Sequence, residues 1–169
     1  MNSNGNYVLI SEIEDELGRL ATLEKELNVF LTNFVDKKPD SYALRAIGSI
    51  LHDFYCGLER IFRKIALEID ESLPKGDRWY RDLLKRMTLE IKNVRPLVIS
   101  PELLDEYDEF LRFRHLFRNV YGYELKWKNI EPLCQNFTKI KKKFIKSIRD
   151  FIEFFRGDID GLITYHSGL

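Results

Sequence analysis

The sequence predicts an all-α fold, an antiparallel four-helix bundle with one additional shorter helix. Apolar residues recur every three or four positions through five segments, which is the spacing of amphipathic helices. No segment alternates apolar and polar residues as a half-buried strand does. With 169 residues, of which 44% are hydrophobic, the chain is long enough to bury one sizeable core.

The first two predicted helices are long and amphipathic. One covers about residues 7–35 and ends before Pro39, because proline disfavours helical geometry at the residue that precedes it. Asp40 or Ser41 can cap the second helix, since either side-chain oxygen can accept a hydrogen bond from a free backbone N–H. This helix carries a wide apolar and aromatic stripe as far as Ile69. We therefore expect it to lie centrally and to contact more than one neighbour.

A third, shorter helix follows a turn at residues 73–77. Asp77 is a candidate for its N-cap, and its apolar positions extend to Ile91. Pro96 ends the pattern.

The fourth and fifth helices complete the bundle. Ser100 and Pro101 are typical of an N-cap and a first helical turn, and Gly122 can end the fourth helix near residue 121. The fifth helix covers about residues 129–156.

The domain organisation follows from these helices. We expect residues 1–156 to form a single domain. Residues 157–169 lose the helical period and contain glycines, so we expect a poorly ordered C-terminal tail.

The overall charge limits the classes of function. The chain has 27 Lys+Arg and 27 Asp+Glu, a formal net charge of zero. This balance excludes a strongly basic nucleic-acid-binding domain and an acidic mimic, but it leaves local patches of either sign open.

The cysteines and the N-terminus indicate a cytoplasmic protein. Cys56 and Cys134 lie in separate segments without a CxxC pair, so neither a disulfide framework nor a structural zinc site is expected. We expect both thiols to pack as small hydrophobic groups. The N-terminal residues lack the order of a signal peptide, and no apolar run reaches the roughly 18 residues of a membrane span.

The segment 110–123 is the one dense in chemical groups, and the chain has no P-loop, GxGxxG, HExxH or GxSxG motif. At about 100° per residue, one side of this helix presents apolar residues, namely Phe113, Leu116, Phe117 and Val120. The other side carries Arg114, His115, Arg118 and Asn119. Such a polar side could bind a phosphodiester. The alternative is a solvated helix face whose arginines pair with nearby acids such as Asp108 or Glu109.

The same segment carries a resemblance to a known family. Residues 114–121 resemble the motif of HEPN-domain proteins, which consists of an arginine, a polar residue, three residues, a histidine, any residue and a tyrosine. Residues 51–62 and 73–84 are similar to a HepT-like subgroup of that superfamily. The resemblance covers about residues 40–135.

The resemblance implies a fold, an activity and partners. HepT-like toxins are four-helix bundles of the HEPN type that dimerise, so that the motif residues of both protomers line one cleft. They act as metal-independent endoribonucleases and need no cofactor. The resemblance also implies a cognate antitoxin, a nucleotidyltransferase of the MNT type that adenylylates the motif tyrosine.

Residue by residue, Arg114 matches the motif arginine, His115 the polar residue and Tyr121 the tyrosine. Asn119 occupies the histidine position, and an amide acts neither as an acid nor as a base near neutral pH. Arg114 and Arg118 could stabilise charge on the phosphate, and His115, one turn before Asn119, could act as a displaced acid–base group.

The second helix offers further candidates. His52 could supply the acid–base group if the second and fourth helices face each other, or it could bond a neighbouring carboxylate or backbone group at the core edge. Glu59 could contribute to the same site, or, like Arg60, it could form an ion pair between helices. Tyr121 is either a core residue whose hydroxyl reaches solvent or a modification target.

A basic run lies on the fifth helix. It comprises Lys139, Lys141, Lys142, Lys143, Lys146 and Arg149. Lys141, Lys142, Lys143 and Lys146 are candidates for RNA binding, and a solvated basic face is the alternative.

Three functions remain open at this point. The first is a toxin that cleaves RNA, and the second is a degenerate HEPN protein that binds RNA or a nucleotidyltransferase without hydrolysis. The third is a helical interaction domain with no affinity for RNA.

Overall fold

The computed structural model describes residues 3–34, 37–119, 121 and 124–166 of the chain. It contains five α-helices within those residues: α1 (Ser3–Thr32), α2 (Ser41–Glu68), α3 (Trp79–Met87), α4 (Leu104–Asn119) and α5 (Trp127–His166). The described residues form no strand, only an isolated bridge between Ile91 and Arg95. The predicted all-α fold of four long helices and one shorter helix is confirmed.

Helix α2 lies at the centre of the bundle, as its apolar stripe predicts. The helices α1, α3, α4 and α5 all pack against it. Aromatic contacts join these layers: the ring of Phe54 lies 5.2 Å from that of Phe110 on α4 and 4.6 Å from that of Phe137 on α5. The buried apolar residues form one continuous cluster. The described residues include no helix long and apolar enough to span a bilayer.

Of the predicted N-caps of α2 and α3, the first is confirmed and the second is wrong. Asp40 is the N-cap of α2, where its Oδ1 accepts hydrogen bonds from the backbone N–H groups of Tyr42 and Ala43 at 3.0 and 2.8 Å. The prediction that Asp77 caps α3 is wrong. Arg78 occupies that position and makes no capping hydrogen bond with its side chain, because the chain enters α3 through a turn in which Trp79 donates to the carbonyl of Gly76.

The predicted end of α3 near Ile91 is also wrong, because a buried ion pair draws the following chain into a loop. The guanidinium of Arg95 donates to both carboxylate oxygens of Asp70, at 2.6 and 2.9 Å, and to the carbonyls of Leu89 and Pro96. Arg95 is fully buried and Asp70 nearly so. In this loop, hydrogen bonds from the Arg95 side chain to backbone carbonyls replace the hydrogen bonds of a continued helix.

The last two helices also differ from their predicted ends. A 3₁₀ turn, Pro101–Leu103, precedes α4, and Ser100 flanks it without a side-chain capping bond. Gly122, the predicted C-cap, lies outside the described residues. Helix α5 continues past Arg156 to His166. The single domain over residues 1–156 and the poorly ordered tail stay predictions, and residues 167–169 lie outside the described residues.

Candidate functional site

Helix α4 is more deeply inserted than its sequence predicts. Phe113 is buried as expected, but Leu116 is 42% exposed. The prediction that Arg114 lies on an exposed polar face is wrong, since it is only 7% exposed. Helix α4 packs against α2, α3 and α5, so protein covers it from more than one side. Val120, the last predicted member of the apolar side, lies outside the described residues.

The guanidinium of Arg114 forms an ion pair with Glu59 on α2. Its Nη2 donates to Glu59 Oε1 at 3.2 Å and lies 3.1 Å from Oε2. Both side chains are about nine-tenths buried. Arg114 Nε and Glu59 Oε2 have no hydrogen-bond partner among the described residues. Arg114 therefore joins α2 to α4 inside the bundle, and the predicted ion pair between helices is confirmed for Glu59.

His115 lies on the side of α4 that faces α3. Its imidazole is half-buried, and its ring centroid is 4.0 Å from that of Tyr80. Nε2 is shielded from solvent and has no hydrogen-bond partner among the described residues. Burial lowers the pKa of His115, and the positive charges of Arg114 and Arg118 lower that pKa further. The imidazole is therefore neutral at pH 7 and suited to accept a proton.

The C-terminal end of α4 presents the other motif residues to solvent. Arg118 and Asn119 are exposed. The Asn119 amide Nδ2 donates to the backbone carbonyl of His115 at 2.7 Å, which holds the side chain against its own helix. Tyr121 is 71% exposed, so the prediction that it could be a core residue is wrong. Its backbone N–H donates to the Glu124 carboxylate at 3.1 Å.

The candidates on α2 lie on a different side of α4 from His115. The rings of His52 and Phe117 are 5.3 Å apart, and residues 115 and 117 are separated by about 200° around the helix. His52 Nδ1 lies 3.2 Å from the Asp53 carboxylate, which confirms the interpretation of a core-edge histidine next to a carboxylate. Arg60 bonds both carboxylate oxygens of Glu16 on α1, as the ion-pair alternative predicts. Helices α2 and α4 pack against each other, but His52 and His115 lie on different sides of α4.

The basic run on α5 divides into two groups. The prediction that Lys141 shares the basic face is wrong, because it is 6% exposed and its ammonium group pairs with Glu24 on α1. Lys143 is half-buried and pairs with Glu106 on α4 at 3.1 Å. Lys142 and Lys146 are exposed, and Lys146 pairs with Asp150 one turn later at 2.6 Å. Residue 141 lies about 160° around the helix from 143 and about 140° from 146, which places it on the core side.

A cavity between α3 and α4 was not evident from the sequence. It has a volume of about 290 Å³ and lies against His115, with the other walls supplied by Arg78, Tyr80, Arg81, Asp108, Leu111 and Arg112. Asp108 Oδ2 accepts hydrogen bonds from Arg112 Nε and Nη2 at 2.9 and 2.6 Å. The predicted pairing of this acid with an arginine of the polar side is wrong for Arg114, which pairs with Glu59 instead. No periodicity or motif connects Tyr80 with His115, since they lie on different helices. Their contact depends on how α3 packs on α4.

The described residues contain no group of three or more His, Cys, Asp or Glu side chains placed to hold a metal ion. Cys134 is buried, and burial raises the pKa of its thiol to about 12, so it packs as a hydrophobic group as predicted. Cys56 is half-buried, with its sulfur 3.7 Å from His52 Nε2. The chemical groups concentrated at α4 are thus a neutral imidazole and several guanidiniums.

One comparison with known proteins gives a match. A family model described as HepT-like protein matches residues 46–155, well over half of the chain, and includes all of α3 and α4. The matched region ends at residue 155 on α5, whereas the resemblance seen in the sequence ends near residue 135. No curated protein and no solved structure matches the chain.

We predict that Arg118→Gln raises the pKa of His115. The substitution removes a positive charge that disfavours the imidazolium form, so that form becomes more stable. The pKa can be measured from the imidazole chemical shift as a function of pH by NMR, with the His115 resonance assigned from its absence in His115→Gln. Arg19→Gln on α1 is the control and should leave the pKa of His115 unchanged. An unchanged or lower pKa in Arg118→Gln would contradict this electrostatic coupling.

Proposed function

The chain belongs to the HepT-like family, and from this membership we propose that it is the toxin component of a HepT/MNT-type toxin–antitoxin system. In this proposal it acts in the cytoplasm as a metal-independent endoribonuclease. The observation that carries the proposal is the half-buried imidazole of His115, which lines the cavity between α3 and α4 one turn before the exposed Arg118–Asn119 end of α4.

The proposed chemistry uses His115 as the base. It takes the proton of a ribose 2′-hydroxyl, and the 2′-oxygen attacks the adjacent phosphorus to form a 2′,3′-cyclic phosphate. The bond from phosphorus to the 5′-oxygen breaks, and this oxygen takes up a proton from water. Arg118 is exposed and can stabilise negative charge on the phosphate oxygens. Because the pKa of His115 is lowered, its base form persists to a more acidic pH than that of an ordinary histidine.

Arg114 has a different role in this proposal from Arg118. Its guanidinium is buried against Glu59, so it acts on the site through its charge, which helps to keep His115 neutral. Glu59 in turn positions Arg114. His52 lies on the Phe117 side of α4 and has no part in the proposed chemistry.

We propose a homodimer with the α4 helices near the two-fold axis. Leu116 and Tyr121 expose apolar surface at that end of α4, which favours burial against a second copy. Such a dimer would double the guanidiniums around one cleft, with Lys142 and Lys146 as exposed cations that could attract RNA. The proposed partner is an MNT-type nucleotidyltransferase antitoxin, and the exposed Tyr121 is its proposed modification target.

A second candidate function is a degenerate HEPN protein that binds RNA or the nucleotidyltransferase without cleaving RNA. Asn119 favours this candidate, because its amide cannot exchange a proton and already bonds the carbonyl of His115. The burial of Arg114 favours it as well, since a buried guanidinium does not contact a phosphate. The two candidates differ in one measurable property, which is cleavage of RNA.

We predict that the purified protein cleaves single-stranded RNA in the presence of a metal chelator, and that His115→Gln reduces the rate by about a hundredfold or more, as expected for loss of a general base. Fragment formation can be followed by gel electrophoresis, with Lys25→Gln on α1 as a control of unchanged activity. The rate should stay high at mildly acidic pH. Absence of cleavage, or equal cleavage by His115→Gln, would contradict the proposed ribonuclease.

The variant Asn119→His separates the two candidate functions. If the parent already cleaves RNA through His115, we expect this second imidazole to change the rate by less than about tenfold, since the proton acceptor is in place. Cleavage that arises in Asn119→His but is absent from the parent would support the degenerate binder and contradict the ribonuclease. Initial rates of RNA cleavage by the parent and by Asn119→His distinguish the two candidate functions.

A further inference from the structure

The cavity between α3 and α4 carries an excess of positive charge. Three guanidiniums, those of Arg78, Arg81 and Arg112, line it together with one carboxylate, that of Asp108. An adjoining cavity of about 380 Å³ shares Arg78, Arg81 and Asp108 and adds Lys85, but there the three carboxylates of Asp82, Asp105 and Asp108 balance the three cations. An anionic group is therefore favoured in the cavity next to His115 and not in its neighbour.

Asp108 orients two of these arginines without using all their donors. The carboxylate is 6% exposed, and its Oδ2 accepts from Arg81 Nη2 at 3.4 Å and from Arg112 Nε and Nη2. A guanidinium has five N–H donors, so both arginines keep donors for another acceptor. Their side chains are more than half exposed and can turn toward a phosphate in the cavity.

The cavity also has an aromatic wall. Tyr80 is half-buried and lies against the His115 ring, which limits its side-chain freedom before any ligand binds. A volume of about 290 Å³ suits a group of the size of a nucleotide. Cations beside an aromatic ring are the combination that binds single-stranded nucleic acid, because every base has a π-face and every nucleotide a phosphate.

We propose that this cavity binds one nucleotide of a single-stranded RNA, with the base stacked on Tyr80 and the phosphate held by Arg78 and Arg112. A paired base inside a duplex cannot reach such a wall, so the site selects an unpaired nucleotide. This inference rests on the proposed function, because it assigns the RNA-binding position beside His115. It adds α3 to a site that the motif confines to α4.

The test is RNA binding measured without cleavage. A fluorescent oligouridylate with 2′-O-methyl riboses cannot be cleaved, because its 2′-oxygen has no proton to lose, and its affinity can be measured by fluorescence anisotropy. We expect Tyr80→Leu to weaken binding by about tenfold and Tyr80→Phe to keep it within about twofold, since the ring remains. Arg78→Gln should weaken binding by about fivefold and lower its salt dependence. Lys25→Gln, on α1, should bind as the parent does.

Thermal unfolding of each variant provides the control for folding. If Tyr80→Leu does not fold, the exposed Arg78 and its variant Arg78→Gln still decide the outcome. Parent-like affinity of Arg78→Gln, together with parent-like affinity of a folded Tyr80→Leu, would overturn the cavity site. Equally tight binding of a methylated duplex by the parent would overturn the selection of an unpaired nucleotide. Cleavage of unmethylated RNA by the parent in either case would leave the proposed function in place, whereas a parent that neither binds nor cleaves RNA would overturn both.

Discussion

The arrangement of the candidate site depends on the buried ion pair between Glu59 and Arg114. Transfer of two charges from water into the bundle is costly, and their mutual attraction offsets this cost only while both partners are present. The pair therefore favours one rotation of α4 relative to α2, at which Phe110 and Phe113 are buried as well. With Arg114 pointing inward, the adjacent His115 lies about 100° further around the helix and faces α3. Arg118 lies on nearly the same side as Arg114 but is exposed, because it is next to the C-terminal end of α4.

The chemistry proposed for the site follows from that rotation. His115 is kept neutral by burial and by two neighbouring cations, one inside the bundle and one at its surface. The short helix α3 covers the imidazole with Tyr80, and Arg81 and the N-cap residue Arg78 lie beside it. An imidazole that accepts protons and guanidiniums that attract phosphate are two of the groups that metal-free cleavage of RNA uses. The zero net charge of the chain conceals this local concentration of cations.

Local patterns predicted the helices well, because an amphipathic period and an N-cap such as Asp40 depend on neighbours in sequence. The family could also be predicted, from short blocks of residues around α2, α3 and α4. The orientation of individual charged side chains could not be predicted from the sequence. Arg114 and Lys141 have the residue types of a solvated face, yet each pairs with an acid on another helix, and the Glu59 partner lies 55 positions away. The contact of Tyr80 with His115 and the Arg95 loop that shortens α3 depend on tertiary packing in the same way.

A double-mutant cycle at Glu59 and Arg114 tests this arrangement most directly. Glu59→Leu and Arg114→Met each leave a buried charge without its partner, and we expect each to lower the free energy of unfolding by about 3 kcal/mol, measured by urea denaturation. The double variant should lose about 4 kcal/mol instead of the roughly 6 kcal/mol of additive losses, a coupling energy of about 2 kcal/mol. The exposed pair of Arg19 and Asp15 is the matched control, with an expected coupling below about 0.5 kcal/mol. Additive losses at Glu59 and Arg114 would contradict the buried pair, and with it the inward orientation of Arg114 and the placement of His115 against α3.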